Sequence, residues 1–168
     1  MVLLNWFDTA PRRVLALICA ACVAMLAFGM YLQYGQGLEP CPMCIVQRYA
    51  LIGVAVFTGL GSLRGGGWLK GWGALALLSA GFGAFVAARQ SWLQWNPPEI
   101  ASCGRDFYGM IESFPLSRAI PMIFRGSGDC TAIDWTFLGG SIANWSFIAF
   151  VVFAVALIAL LLRRRGAA

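Results

Sequence analysis

Two cysteine pairs carry most of the chemistry that this chain of 168 residues could perform. Cys41-Pro42-Met43-Cys44 stands at the mouth of an apolar run, and Cys103 and Cys130 share one polar segment. One pair touches a membrane boundary while the other faces water, so electrons could pass from a soluble thiol to a carrier dissolved in lipid. The setting of the first pair suits that task. Glu39, Pro40 and Pro42 mark a break in helix and Ile45 opens an apolar stretch, so the cysteines straddle a helix start. Pro42 fits the first helical position, where its missing N–H costs nothing and its φ is already helical. Unsatisfied N–H groups and the positive end of the helix dipole then point at the sulfurs and stabilise a thiolate, the form that attacks and leaves in disulfide exchange.

Arg48 follows Cys44 by four residues, one turn deeper on the same helical face, with Gln47 beside it. A charge at mid-bilayer costs about 2.5 to 3.5 kcal/mol and less near the interface, so it needs a polar partner or a task. Three readings stay open for it: snorkelling to the headgroups, pairing with another residue, or holding the polar head of a ligand.

Cys103 follows Asn96-Pro97-Pro98 and Cys130 ends Gly126-Ser127-Gly128-Asp129, which puts both in turn-rich backbone. A disulfide between them would close a loop of about 28 residues and stabilise by more than about 3 kcal/mol on chain entropy, enough for a simple staple. Against the staple, the flanking glycines leave the sulfurs mobile and accessible, as exchange with an incoming thiol requires. Between the two, Phe114 to Leu116 and Ala119 to Phe124 form an apolar patch, read as a segment lying on the membrane that dips toward the bundle or meets a partner. Cys19 and Cys22 also spell C-x-x-C, but they sit among alanines near mid-membrane and read as small residues packing a helix interface.

The electron acceptor follows by elimination. The sequence contains no histidine, which excludes histidine-ligated haem, most di-iron sites and mixed Cys/His zinc sites. It has no glycine-rich dinucleotide fingerprint, so no metal, haem or flavin is expected. A quinone, a lipid-soluble two-electron carrier, remains; its head would sit beside Cys44, with Arg48 stabilising negative charge on a ring oxygen or on the thiolate.

Membrane helices must position these groups. Hydrophobic residues make up 60% and charged residues 11%, against about 45 to 50% and about 25% in soluble domains. Four apolar runs, about Val14 to Tyr31, Ile45 to Leu63, Trp68 to Ala88 (extendable to Trp95) and Asn144 to Leu162, are each long enough to cross a core of about 30 Å. The expected fold is therefore an all-α integral membrane protein, a four-transmembrane-helix bundle in a single domain over residues 1–168, with a long outer loop from about 96 to 143 carrying a short interfacial helix. The first run exceeds the h-region of a signal peptide and is read as a retained helix. Arg12, Arg13, Arg64, Lys70 and Arg163 to Arg165 all fall on one side, which the positive-inside rule makes cytoplasmic. Both termini are thus expected inside, and both outer cysteine pairs outside. The net charge of +5 is a topology signal; nucleic-acid binding would need a clustered soluble basic face, which is absent.

The order of spans, Cys41-Pro-Met-Cys44-x-x-Gln47-Arg48-Tyr49, Arg89-Gln90-Ser91-Trp92-Leu93-Gln94, Pro97-Pro98 to Cys103, and Gly128-Asp129-Cys130 followed by Trp135 and Leu138 together resemble the DsbB family of bacterial inner-membrane proteins over nearly the whole chain. That a DsbA, DsbB and quinone chain keeps the bacterial periplasm oxidising is established for the family, not inferred from these residues. The resemblance implies that reduced DsbA, a soluble periplasmic thiol oxidase, attacks the loop disulfide at Cys103, that Cys130 passes electrons to Cys41, and that Cys44 delivers them to ubiquinone or menaquinone near Arg48, and so indirectly to the respiratory chain. Some members of the family carry a histidine where this chain has Gln90. A role of that imidazole cannot operate here, which leaves Gln90, with Arg89 and Gln47, as secondary candidates for the quinone site.

Other classes make distinct expectations. External disulfides that only brace a partner-binding protein should resist a mild dithiol. A four-sulfur metal site would need spacing unlike that present. A quinone-linked reductase in the manner of vitamin K epoxide reductase would run electrons the other way.

Overall fold

The structure, a computed structural model, describes residues 10–64, 68–97, 115–125 and 128–163. Cys103, the charged residues from Glu99 to Glu112, and Arg164 and Arg165 lie outside them. Four long helices dominate: α1 (Pro11–Gly35), α2 (Pro42–Leu63), α3 (Trp68–Trp95) and α6 (Ile142–Arg163). Each is long and apolar enough to cross a membrane. Between α3 and α6 come a helix α4 (Leu116–Arg125), a single helical turn α5 (Gly128–Thr131) and a hairpin of β1 (Thr136–Phe137) with β2 (Gly140–Ser141).

The helix ends follow from local chemistry more than from hydropathy. A proline at the first turn sets the start of both α1 and α2. Past Tyr31, the backbone ladder of α1 continues through the polar Gln33 and ends where Gly37 takes a φ of 69°. Helix α3 runs to Trp95, the longer of the two lengths expected for it, and stops before Pro97. Its 28 residues extend about 42 Å at about 1.5 Å per residue, so its outer turns rise beyond a hydrocarbon core of about 30 Å. Those turns carry Gln90 and Gln94.

Helix α3 is the centre of the bundle, packing on α2 along one side and on α6 along the other, while α1 packs on α2. A seam of buried small residues, Ala76, Ala80, Gly83 and Ala87, recurs on its buried side and lets neighbours approach closely. At Gly83 the approach is closest, since a Cβ there would lie 2.4 Å from two ring carbons of the buried Phe150 of α6. Helices α1 and α6 make no comparable contact with each other, and a gap is left between them near the start of α2. On the opposite end of the bundle, Arg12 does more than mark topology: its guanidinium donates to the carbonyls of Ser62 (2.7 Å) and Leu63 (3.0 Å), satisfying the free C-terminal end of α2.

The hairpin turn places Leu138 (φ 50°) and Gly139 (φ 79°) in the left-handed region, the pattern of a type I′ turn. Glycine takes that conformation readily, whereas Leu138 is strained there, with its side chain 81% exposed.

Candidate functional site

Cys41 is the N-cap of α2 and Pro42 its first residue, as the helix-start reading expected. The extended backbone of Cys41 (φ −64°, ψ 160°) turns its sulfur back over the first turn, where it accepts the Cys44 N–H at 3.3 Å. The two sulfurs stand 2.9 Å apart. Closing to a disulfide at about 2.05 Å therefore needs a movement of about 0.9 Å.

Cys130 reaches the same place from α5. With Cys41, Met43, Val86, Leu93 and Ile123 it forms one buried cluster, and its sulfur hydrogen-bonds that of Cys41. This corrects the expectation of a mobile, accessible sulfur, for Cys130 is 0% exposed. The physical reason is that a thiol packs as a small apolar group, and Ile123 and Phe124 of α4 cover this corner. Of the outer apolar patch, Ile123 and Phe124 thus meet the bundle, where Phe124 lies 6.1 Å from Phe85 of α3 between ring centroids, while Ile120 is exposed and Phe114 lies outside the described residues. Hydrogen bonding to Cys130 and then to Cys44, together with burial, pushes the Cys41 thiol above the ordinary cysteine range, so in the dithiol state Cys41 keeps its proton.

Gln90 of α3 sits against both sulfurs. Its Nε2 lies 3.3 Å from Cys41 Sγ and 3.3 Å from Cys44 Sγ. Its Oε1 accepts from Gln47 Nε2 at 2.6 Å and lies 3.7 Å from the Cys44 thiol. Both glutamines are buried, 3% and 6% exposed, in a polar pair that crosses from α2 to α3.

Arg48 is paired with α1. It donates to Gln33 Oε1 and to the Gly29 carbonyl (3.1 Å), both on α1. It also lines a cavity of about 270 Å³ in the gap between α1 and α6, together with Cys41, Cys44, Gln47 and Gln90. Apolar and aromatic groups make up much of the remaining wall, among them Phe28, Leu51, Trp135, Phe137, Trp145 and Phe150. Arg89 lies outside this lining, and Cys103 lies outside the described residues. Cys19 and Cys22 sit far along α1, packed in the helix core as expected of small interface residues.

Three contributors were not read from the sequence. Gln33 stands 15 residues before Arg48 and no local spacing links them. Gln94 accepts from Ser141 Oγ at 2.6 Å, and Ser141 in turn accepts the Asn144 N–H at the start of α6, tying α3 to the hairpin. The aromatic wall joins Phe28 to Trp135, Trp135 to Phe137 and Phe137 to Trp145, at 5.8, 6.1 and 6.1 Å between ring centroids. Only the spacing of Trp135 and Leu138 had signalled that segment.

In this multi-pass membrane protein three sulfurs gather at a helix start, two of them 2.9 Å apart, an arrangement chemically suited to thiol–disulfide exchange. Comparison with known proteins narrows the class. The family model described as "Disulfide bond formation protein DsbB" matches residues 11–160. A "Disulfide bond formation protein B" of Paracidovorax citrulli (strain AAC00-1) is 83% identical over 160 residues, covering 95% of this chain and 91% of that protein. One of Acidovorax sp. (strain JS42) is 79% identical over 167 residues, covering 98% and 96%. A more distant one, of Aromatoleum aromaticum (strain DSM 19018 / LMG 30748 / EbN1), is 47% identical over 162 residues, covering 95% and 98%. This chain belongs to the DsbB family of disulfide bond formation proteins.

Proposed function

We propose that this protein is a membrane thiol:quinone oxidoreductase that reoxidises a DsbA-like periplasmic dithiol oxidase. The observation that carries the reading is the series of sulfurs: Cys130 touches Cys41, Cys41 stands 2.9 Å from Cys44, and Cys44 lines a cavity that also holds Arg48. In this reading the partner's thiolate attacks Cys103 of a Cys103–Cys130 disulfide, forming a mixed disulfide and releasing the Cys130 thiolate. Cys130 then attacks Cys41 of a Cys41–Cys44 disulfide, so one S–S bond forms as another breaks and the electron pair leaves on Cys44. The partner's second thiol displaces Cys103 and departs oxidised; the freed Cys103 thiolate then attacks Cys130, which re-forms Cys103–Cys130, breaks Cys130–Cys41 and leaves the electron pair on the Cys41/Cys44 dithiol. Every step is in-line thiolate attack on sulfur, so positioning and leaving-group character carry the catalysis.

The cavity fits a quinone head. A ring with two carbonyl oxygens needs donors at its edge and apolar contact on its faces, and this cavity offers the Arg48 guanidinium and the Gln47 and Gln90 amides beside aromatic and aliphatic walls. When bound, ubiquinone or menaquinone supplies the oxidising equivalents, taking up two electrons and two protons. Arg48, anchored by Gln33 and the Gly29 carbonyl, places positive charge next to the cavity. The gap between α1 and α6 gives a route from lipid.

The same reading makes the chain a single domain of the bacterial inner membrane, with both termini in the cytoplasm and both outer cysteine pairs toward the periplasm. The test is anaerobic mixing of the purified protein with reduced DsbA and a short-chain quinone, read at the quinone absorbance. Loss of quinone matched one for one by oxidised DsbA supports the proposal. Full turnover by Cys44→Ser removes that sulfur from the chemistry and overturns it.

A further inference from the structure

The Gln47–Gln90 pair is a buried polar contact against the Cys41 and Cys44 sulfurs to which the exchange route gives no task. We propose that Gln90 is a catalytic hydrogen-bond donor to the Cys41/Cys44 sulfurs, and that Gln47 is the positioning residue that turns its N–H₂ edge toward them. This rests on the proposal that these two cysteines are the redox pair.

The geometry is directional. A side-chain amide offers two N–H donors at one end and a carbonyl acceptor at the other. Gln47 Nε2 donates to Gln90 Oε1 at 2.6 Å, which engages the acceptor end, 3.7 Å from the Cys44 sulfur, and leaves Nε2 the nearer atom, 3.3 Å from each sulfur. A sulfur that becomes anionic when the Cys41–Cys44 bond opens thus meets a donor already in place. No rearrangement is needed, and buried in this way the donor acts where water screens it little. Gln90 reaches both sulfurs equally, so it serves whichever of the two is the leaving group.

An amide also does not titrate. Among the described residues, the ionisable groups around this pair are Cys41 at the N-cap of α2, Cys44 and Arg48 from α2, Cys130 from α5, and Glu39 and Asp134 on the cavity wall. The donor itself therefore stays constant across the pH range in which thiols ionise. An imidazole at the same position would change charge near pH 6.5.

The test needs neither quinone nor partner, so it stands apart from the acceptor proposal. Purified full-length protein, fully reduced under argon, is alkylated with iodoacetamide from pH 5 to 9, and modification of Cys44 and Cys41 is resolved by tandem mass spectrometry. Gln90→Leu should slow alkylation of the faster sulfur at pH 7 by about tenfold, the effect of losing one hydrogen bond to a charged acceptor. Gln90→His should add an inflection near pH 6.5. Gln47→Glu, which cannot donate to Gln90 Oε1 and would draw the N–H₂ edge away from sulfur, should slow alkylation more than Gln47→Leu. Thermal melts of all four variants show whether the fold is retained. A folded Gln90→Leu protein with the parent's pH profile overturns the donor role, and equal behaviour of Gln47→Glu and Gln47→Leu overturns the positioning role. Failure of quinone reduction with these profiles as expected would sink the acceptor instead.

Discussion

Removing the Arg48 guanidinium should separate two halves of the reaction. Arginine carries five N–H groups; one is used on Gln33 Oε1 and one on the Gly29 carbonyl, which fix the side chain against α1 while the head lines the cavity. A quinone oxygen accepting one of the remaining donors gains a charge-assisted bond worth about 1.5 to 3 kcal/mol. Its loss in Arg48→Ala should raise the quinone KM by about 10- to 100-fold. In the proposed route thiol exchange with reduced DsbA does not involve the Arg48 guanidinium and should change by less than about twofold. Arg48→Lys keeps the charge but loses the planar fork that reaches Gln33, Gly29 and a ligand together, so it should fall between the two. The assay is steady-state turnover against short-chain quinone at saturating DsbA, with stopped-flow measurement of the exchange step. Parallel losses in both steps, or an unchanged quinone KM, would refute the assignment and leave Arg48 as a tie between α1 and α2.

Two further substitutions probe the scaffold. Gly83→Ala places a methyl group 2.4 Å from the Phe150 ring, where packing leaves no room to retreat. It should destabilise by about 1 to 3 kcal/mol, read as a lower midpoint in thermal or SDS denaturation, and an unchanged midpoint would show that α3 and α6 do not meet there. Replacing both Cys19 and Cys22 by Ala should leave quinone reduction near the parental rate, since both pack in the helix core and neither lines the cavity. A large loss of activity would give that pair a redox task.

The four spans and the helix start were legible because each rests on a local rule. Hydropathy over about 20 residues marks a helix that can cross a bilayer, and a proline one residue after Cys41 fixes where α2 begins. Arg48 was legible as a charge needing a reason, since its cost in lipid is independent of the fold. Its partner was not, because Gln33 lies on another helix and only the packing of α1 on α2 brings the two together. The same holds for Gln90. Helix α3 is apolar on nearly every side, so its sequence does not say which face turns toward α2; the small-residue seam settles the rotation, and Gln90 then falls on the sulfurs. Cys130 misled for a different reason. Glycines before a cysteine signal a turn and carry no information about depth, and its burial comes from Ile123 and Phe124 arriving from α4.

A cavity between α1 and α6 stays open only if something other than those helices spans them. The aromatic segment does so: Phe28 of α1 meets Trp135, Trp135 stacks on Phe137, and Phe137 meets Trp145 of α6, whose indole N–H donates to the Phe137 carbonyl at 2.9 Å. Rings are suited to this because each covers a large area with few rotatable bonds, and the Trp145 indole has its hydrogen bond. The hairpin is fixed at its other end by Ser141, which donates to Gln94 of α3. Three of the four long helices thus hold one short segment, and Ala132 to Trp135 and Phe137 of that segment form part of the cavity wall. Cys41 and Cys44 both line that cavity, and Cys41 also meets Cys130, so under the proposed route sulfur exchange and the acceptor meet at a single helix start.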